Sequence, residues 1–182
     1  MPINTLVKDV MIPLKDCAVV GAGDPLREAA TRLREVYCEI ETGACTEAGH
    51  RTALVLDENK RLVGILDFKG ILSVLIPEIA GGLSARLASL GVSAAFAEAG
   101  ASDLDETRMG FAARVIKNAE TSVKDVMLKV RGTIGPDADL MDALKLIYKN
   151  KIVVLPVCEG DKLVGVVRDS DLFLAVTAVL ME

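Results

Sequence analysis

The chain has 182 residues, of which 51% are hydrophobic but only 3% aromatic, and its formal net charge is −5. It is long enough to bury an aliphatic core, while its acidity and its lack of basic runs argue against nucleic acid as a partner. Every uncharged run is shorter than the ~18 apolar residues that span a bilayer, so we expect a cytoplasmic protein with no membrane span.

Two parts of the chain repeat each other in the same order. VKDVM occurs at Val7–Met11 and Val123–Met127, and LVG occurs at Leu62–Gly64 and Leu163–Gly165. The two LVG segments lie closer together in the chain than the two VKDVM segments do. The first copy is therefore longer between VKDVM and LVG than the second, and we place its insertion at about 37–51. Internal repeats of this kind predict a duplicated structural unit. The predicted boundaries are 1–72 for repeat 1, 73–122 for a connecting segment and 123–182 for repeat 2.

Repeat 1 begins with a short strand followed by a helix. Asp24 is a favourable N-cap residue, and Pro25 is a favourable first helical residue. Apolar residues then recur at helical spacing, at Leu26, Ala29, Ala30, Leu33 and Tyr37. Strands are predicted at Thr52–Leu56 and Arg61–Leu66 with the polar turn DENK between them, a pattern typical of a hairpin.

The insertion and the connecting segment lie outside the repeated pattern. The insertion contains Cys38, Cys45 and His50, which are potential metal ligands. Their spacing forms no paired-cysteine motif, so we expect a surface loop with reduced thiols and no metal. The connecting segment is rich in Ala and Leu, and a helix is predicted at Asp103–Asn118, because so long a segment without structure is unusual in a compact domain.

Repeat 2 follows the same plan. Asp139 can cap a helix whose apolar stripe is Leu140, Ala143, Leu144 and Ile147. Strands are predicted at Ile152–Cys158 and Lys162–Val167, again joined by a polar turn. Each repeat is therefore predicted as β-α-β-β-α, and the fold class as α/β (α+β).

This arrangement resembles a tandem pair of CBS domains, also called a Bateman module. The residues that carry the resemblance are VKDVM in both repeats, Leu155–Val157, and LVGVVRDSDLF at Leu163–Phe173. The resemblance implies two repeats packed about a pseudo-twofold axis, a helical segment between them, and pairing of modules into a homodimer. It also implies a regulatory rather than an enzymatic role, with AMP, ADP, ATP or S-adenosylmethionine as regulatory ligand and no required cofactor.

The family's nucleotide-binding signature resembles Gly-x-x-Thr/Ser-x-x-Asp where a strand leads into a helix. Repeat 2 keeps the final Asp as Asp171 but has Arg168 in place of Thr or Ser, whereas repeat 1 has Asp67 and Gly70 at these positions. A carboxylate at Asp171 can accept both ribose hydroxyls, and the guanidinium of Arg168 suits a phosphate at a helix N-terminus. We therefore expect repeat 2 to build the binding cleft and Asp67 to repel phosphate.

Two plainer interpretations of these side chains remain open. Asp171 also fits a solvated acid in the first turn of a helix, where the dipole favours negative charge. Arg168 also fits a surface residue paired with Asp169 or Glu159.

The resemblance further implies an adenine slot between strands. Its lining would be Thr133, Ile134, Ile152, Val153, Val154, Leu155 and Pro156. The same residues also fit ordinary core strands. Gly21-Ala22-Gly23 is explained by a turn, and no triad or acid–base pair supports an enzyme.

The leading hypothesis is a module that senses an adenosine compound and acts on a separate, unidentified effector protein. The alternative is a structural dimerisation module with no bound nucleotide.

Overall fold

The structure is a computed structural model that describes residues 5–37, 51–77 and 110–181. The predicted metal-free loop at Cys38–His50 and the first part of the predicted helix at Asp103–Asn118 lie outside these ranges.

The described residues of repeat 1 form three helices and four strands. They are α1 (Val7–Val10), β1 (Ile12–Pro13), β2 (Ala18–Gly21), α2 (Leu26–Tyr37), β3 (Thr52–Leu56), β4 (Leu62–Asp67) and α3 (Phe68–Leu75). A 3₁₀ turn at Leu14–Asp16 joins β1 to β2. Helix α3 starts directly after β4, and this strand-to-helix junction contains the signature positions of repeat 1.

The remaining described elements comprise one helix of the connecting segment and the elements of repeat 2. They are α4 (Phe111–Asn118), α5 (Leu140–Asn150), β5 (Val154–Glu159), β6 (Lys162–Arg168) and α6 (Asp169–Thr177). Short 3₁₀ turns lie at Val123–Asp125 and Ala178–Met181. Helix α6 follows β6 directly, as α3 follows β4.

The strands form two three-stranded sheets, one for each repeat. In repeat 1 the order is β2-β3-β4, with β2 parallel to β3 and β3 antiparallel to β4. In repeat 2, β5 and β6 are antiparallel, and Ile134 makes a parallel bridge to Val157 where β2 stands in repeat 1. The predicted β-α-β-β-α plan and both hairpins are therefore confirmed.

Each repeat also gives a short segment to the sheet of the other repeat. Strand β1 of repeat 1 pairs with β6, with Ile12 opposite Val166. In return, Leu128 of repeat 2 bridges Ile65 of β4 through two backbone hydrogen bonds of 2.8 and 2.9 Å. This mutual exchange follows the pseudo-twofold relation that the sequence analysis predicts.

The glycine of each LVG segment permits this exchange. A Cβ atom on Gly165 would lie 2.3 Å from the carbonyl oxygen of Ile12. A Cβ atom on Gly64 would lie 2.4 Å from the sulfur of Met127. Real Cβ atoms do not approach other heavy atoms so closely, so both positions favour glycine for reasons of space.

Each repeat has its own aliphatic core, and a third cluster joins the two. Three residues of the predicted stripe of α2, Leu26, Ala29 and Leu33, are at most 1% exposed. The joining cluster contains the buried residues Cys17, Leu54, Leu163 and Val166. Because it draws on both sheets, the two repeats form one continuous body around the cleft described below.

Two local predictions are corrected. Helix α2 begins at Leu26, and Asp24 accepts a hydrogen bond from the N–H of Gly21 at 2.7 Å rather than acting as its N-cap. Strand β5 begins at Val154 rather than Ile152, because the N–H of Ile152 donates to the carbonyl of Ile147 and completes the end of α5. In the described part of the chain, no helix has the length and apolarity needed to cross a membrane.

Candidate functional site

A cleft of about 300 Å³ opens between the two repeats. We call it the inter-repeat cleft. Repeat 1 lines it with Thr52, Ile65 and Asp67, and repeat 2 lines it with Leu128, Lys129, Arg131, Gly132, Lys151, Ile152, Val153, Val154 and Pro156. Its volume is at the lower end of the range typical of small-molecule sites.

The strand exchange produces this cleft. Leu128 pairs with Ile65 of β4 in repeat 1. The segment that follows Leu128 therefore passes beside the carboxyl end of β4, at Asp67. The start of β5 faces the same space from repeat 2. Ligand-binding clefts commonly form where the carboxyl ends of strands meet other elements in this way.

Asp67 is the N-cap residue of helix α3. Its Oδ1 accepts a hydrogen bond from the N–H of Gly70 at 2.7 Å, which satisfies one of the unpaired donors of the helix N-terminus. A carboxylate has about four acceptor positions, so Asp67 can cap the helix and still accept further hydrogen bonds from a ligand in the cleft. The sequence analysis did not anticipate the position of this carboxylate in the cleft lining.

Three cations lie around the same cleft. Lys129 and Arg131 belong to the extended segment after Leu128, and Lys151 ends helix α5. All three are exposed, whereas the apolar residues at the start of β5 contribute walls of the cleft. The sequence analysis missed these cations, because isolated charges without a motif or a periodic spacing give no signal of the cleft they share.

The backbone of Lys151 is in the left-handed region, with φ 52° and ψ 49°. Its N–H donates to the carbonyls of Ile147 and Tyr148 and so closes the end of α5. Glycine is the usual residue at this position, and a residue with a side chain costs ~1–2 kcal/mol there. A strained conformation held in the lining of a cleft is an arrangement found at functional sites.

The corresponding junction of repeat 2 is occupied by an internal ion pair. The Nη2 of Arg168 lies 2.6 Å from Oδ1 of Asp171, and its Nε lies 2.9 Å from Oδ2. The backbone N–H of Arg168 also donates to Oδ2, at 3.0 Å. The two side chains are only 17% and 12% exposed, and the hydrogen bond to Asp171 raises the pKa of Arg168.

This pair differs from both plainer interpretations of the sequence. Arg168 is paired with Asp171 itself, not with Asp169 or Glu159, and Asp171 is a partly buried acceptor rather than a solvated acid. Both oxygens of Asp171 are engaged by one residue. Asp171 already accepts three hydrogen bonds, so it could accept from both ribose hydroxyls only if this pair opened.

The structure does not bring the predicted site residues together in one cleft. Ile152, Val153, Val154 and Pro156 line the inter-repeat cleft together with Asp67 of repeat 1. Arg168, the strand partner of Val154, and Asp171 lie outside this lining. The cleft that these four residues line is shared by the two repeats, and the assignment of the ligand site to repeat 2 stays a prediction. The strand exchange is the cause of the shared lining, since it brings β4 of repeat 1 to the segment before β5.

The other predicted slot residues lie elsewhere. Leu155 and Ile134 are buried in the core of repeat 2. Thr133 lines a separate pocket of about 260 Å³ near the β5–β6 turn, together with Cys158 and Asp161. Their roles in ligand binding stay predictions.

Cys17 lies beneath the Arg168 junction. It is buried in the cluster that joins the repeats, and its sulfur lies 3.5 Å from the carbonyl oxygen of Pro13. Burial raises the pKa of Cys17 to about 11, with a further increase from Asp16 and a smaller opposing effect of Arg168. Such a thiol is protonated at neutral pH and is not a nucleophile.

The comparison with family models identifies the fold. The CBS domain model matches residues 7–77 and 123–178. Because these two matches cover more than half of the chain, the chain belongs to the CBS-domain family and contains two copies of the domain. The comparison with curated proteins gives no match.

Solved structures with the same fold include CBSX2 from Arabidopsis thaliana, a CBS-pair protein. It is 18% identical, with a TM-score of 0.63 over 98% of this chain and 99% of that chain. A structure of CBSX2 in complex with AMP is 20% identical, with a TM-score of 0.59 and coverages of 96% and 98%. A CBS domain-containing protein of unknown function from Kribbella flavida is 12% identical, with a TM-score of 0.64 and coverages of 96% and 99%. At identities this low, the similarity to these structures establishes the fold alone.

Proposed function

We propose that the protein is a regulatory module that binds an adenosine compound in the inter-repeat cleft and acts on a separate partner protein. The observation that carries the proposal is the cleft itself, in which an acceptor carboxylate, apolar strand walls and three cations meet. The complex of CBSX2 with AMP supports this choice of ligand. No catalytic role is proposed for any residue of the cleft.

The chemistry of the lining matches the parts of an adenosine ligand. The apolar walls from Ile152 and Val154 can contact a purine face, and Asp67 can accept hydrogen bonds from ribose hydroxyls. The cations can attract phosphate. Asp67 was expected to repel phosphate, but in the structure three cations share its cleft.

Thermal unfolding with AMP, ADP, ATP or S-adenosylmethionine tests the proposal. At a hundredfold excess over Kd, a ligand that binds only the folded state stabilises it by about 2.7 kcal/mol. That stabilisation raises the melting temperature by several degrees for a chain of this size. If calorimetry finds no binding at millimolar ligand, the sensor proposal fails.

A matched pair of variants identifies the site. Asp67→Ala and Asp171→Ala each remove the carboxylate from one of the two related junctions. We expect Asp67→Ala to abolish most of the ligand-dependent rise, compared with its own melting temperature without ligand. If Asp171→Ala abolishes it instead, the original assignment to Arg168 and Asp171 is correct and the ion pair opens on binding.

The alternative is a structural dimerisation module with no bound nucleotide. It is favoured by apolar side chains on the helices of both repeats. Phe173 and Leu174 of α6 are 65% and 66% exposed, and an apolar groove lies between α2 and α3 beside Leu72. Self-association without any ligand-dependent change in stability would support it.

A further inference from the structure

The charge around the inter-repeat cleft has the opposite sign to that of the whole chain. The chain carries a net charge of −5, but the cleft is lined by Lys129, Arg131 and Lys151 against the single carboxylate of Asp67. Within residues 5–37, 51–77 and 110–181, none of these three cations forms a salt bridge. Their positive charge is therefore available to a ligand.

The cations stand at the rim of the cleft rather than in its depth. Lys129 and Arg131 alternate along an extended segment and are exposed, while Val130 between them lines a different pocket. A cleft of about 300 Å³ encloses only a small molecule. A nucleoside fills such a volume, and any charged tail extends toward the rim.

Lys151 adds a second, independent observation. Its left-handed backbone conformation favours glycine, and the chain places a lysine there instead. The position closes helix α5 equally well with glycine, so helix termination does not explain the lysine. Its contribution is a cation at the cleft.

From this charge distribution we propose that the cleft selects adenosine ligands by their number of negative charges. ADP and ATP then bind more tightly than AMP, and S-adenosylmethionine, which carries a sulfonium and an ammonium group, binds most weakly. The inference rests on the proposed function, because it assumes that an adenosine compound enters the cleft. It goes further by naming polyphosphate nucleotides as the ligand class.

Isothermal titration calorimetry without divalent metal tests the selection. In 50 mM NaCl we expect ATP to bind at least about tenfold more tightly than AMP, equivalent to about 1.4 kcal/mol. In 500 mM NaCl the ratio should shrink severalfold, because salt screens exposed charges. Adenosine itself should show little change with salt.

Single variants assign the effect to the rim cations. Arg131→Ala and Lys151→Gly should each weaken ATP binding about two- to fivefold, as expected for exposed charge pairs. The affinity for adenosine should not change. Lys162→Ala is the control. Lys162 lies opposite Glu159 at the turn end of the β5–β6 hairpin, whereas Val154, at the other end, lines the cleft. Lys151→Gly relieves backbone strain, so a weaker affinity in this variant cannot be attributed to unfolding.

The outcomes separate the two proposals. Equal affinity for AMP and ATP at low salt, or tighter binding of S-adenosylmethionine, overturns charge selection and leaves the adenosine sensor intact. Equal weakening of ATP by Lys162→Ala and Arg131→Ala also overturns it, because the effect would then come from overall charge. Failure of every adenosine compound to bind removes the proposed function, and this inference with it.

Discussion

Arg168 and Asp171 form a bidentate pair within one turn of the chain, and its partial burial distinguishes it from a surface ion pair. We expect Arg168→Met and Asp171→Asn each to lower the free energy of unfolding by about 1–3 kcal/mol, because each leaves a partly buried polar group without its partner. The double variant should lose less than the sum of the two, by 0.5 kcal/mol or more. Urea denaturation of the four proteins gives the coupling.

The pair of Lys145 and Asp142 provides the control for this cycle. It has the same spacing along a helix but is 69% and 56% exposed. Its coupling should be below about 0.5 kcal/mol. If the two couplings are equal, the Arg168–Asp171 pair contributes no more than a surface pair, and its opening for a ligand costs little.

The buried thiol of Cys17 makes stability depend on alkaline pH. Its pKa is raised to about 11 in the folded protein, whereas in the unfolded chain it lies near its ordinary value of 9.0. Between these values the unfolded state loses its proton first, so stability that is present below pH 9 is lost as pH rises toward 11. Cys17→Ala should remove this part of the decline. Parallel slopes of stability against pH for the two proteins, measured by urea denaturation, would contradict the assignment.

At the scale of elements, the two LVG glycines respond differently to the same substitution. Gly165 meets the backbone carbonyl of Ile12, which β1 holds in place, whereas Gly64 meets the flexible side chain of Met127. We therefore expect Gly165→Ala to destabilise the protein by several kcal/mol and Gly64→Ala by ~1–3 kcal/mol. Chemical denaturation measures both.

Gly135 serves as the control for both glycines. Nothing lies within 4 Å of a Cβ built on it, so Gly135→Ala should be neutral or slightly stabilising. A Gly64→Ala variant as unstable as Gly165→Ala would mean that Met127 is as rigid as the backbone beside Gly165.

At the scale of the whole molecule, we expect a homodimer. Large apolar side chains are exposed on helices of repeat 2, including Phe173, Leu174 and Tyr148. Apolar patches mark interaction sites in soluble proteins, and we expect these side chains to belong to one. Light scattering at tens of micromolar should give twice the chain mass, and Phe173→Glu with Leu174→Lys should shift it toward the monomer. A monomeric wild-type protein would count against the prediction.

The sequence predicted the architecture better than the site. Helices and hairpins follow from local periodicity, so the apolar stripe starting at Leu26 and the strand Thr52–Leu56 were placed correctly. Which residues lie opposite each strand-to-helix junction depends on pairings between distant parts of the chain, such as Leu128 with Ile65. Local sequence patterns do not contain that information. The division at 1–72, 73–122 and 123–182 stays a prediction.

The ion pair of repeat 2 was within reach of sequence reasoning. Residues three apart face each other at a helix start, so Arg168 and Asp171 could have been matched to each other before either was matched to a ligand. The three rim cations could not have been found in this way. They come together only when the two repeats are assembled.

The exchange of strands between the repeats also sets the order of events during synthesis. Ile12 leaves the ribosome long before Val166, its partner on β6. At ~5–20 residues per second, β1 waits on the order of ten seconds without a partner. The sheet of repeat 2 is complete only when its last strand, β6, has been made. The final structure therefore forms late and through contacts between residues far apart in the chain, which is a slow class of folding reaction. A nascent chain halted before β6 would leave β1 and one edge of β5 without their partner strand, and we expect chaperones to bind it.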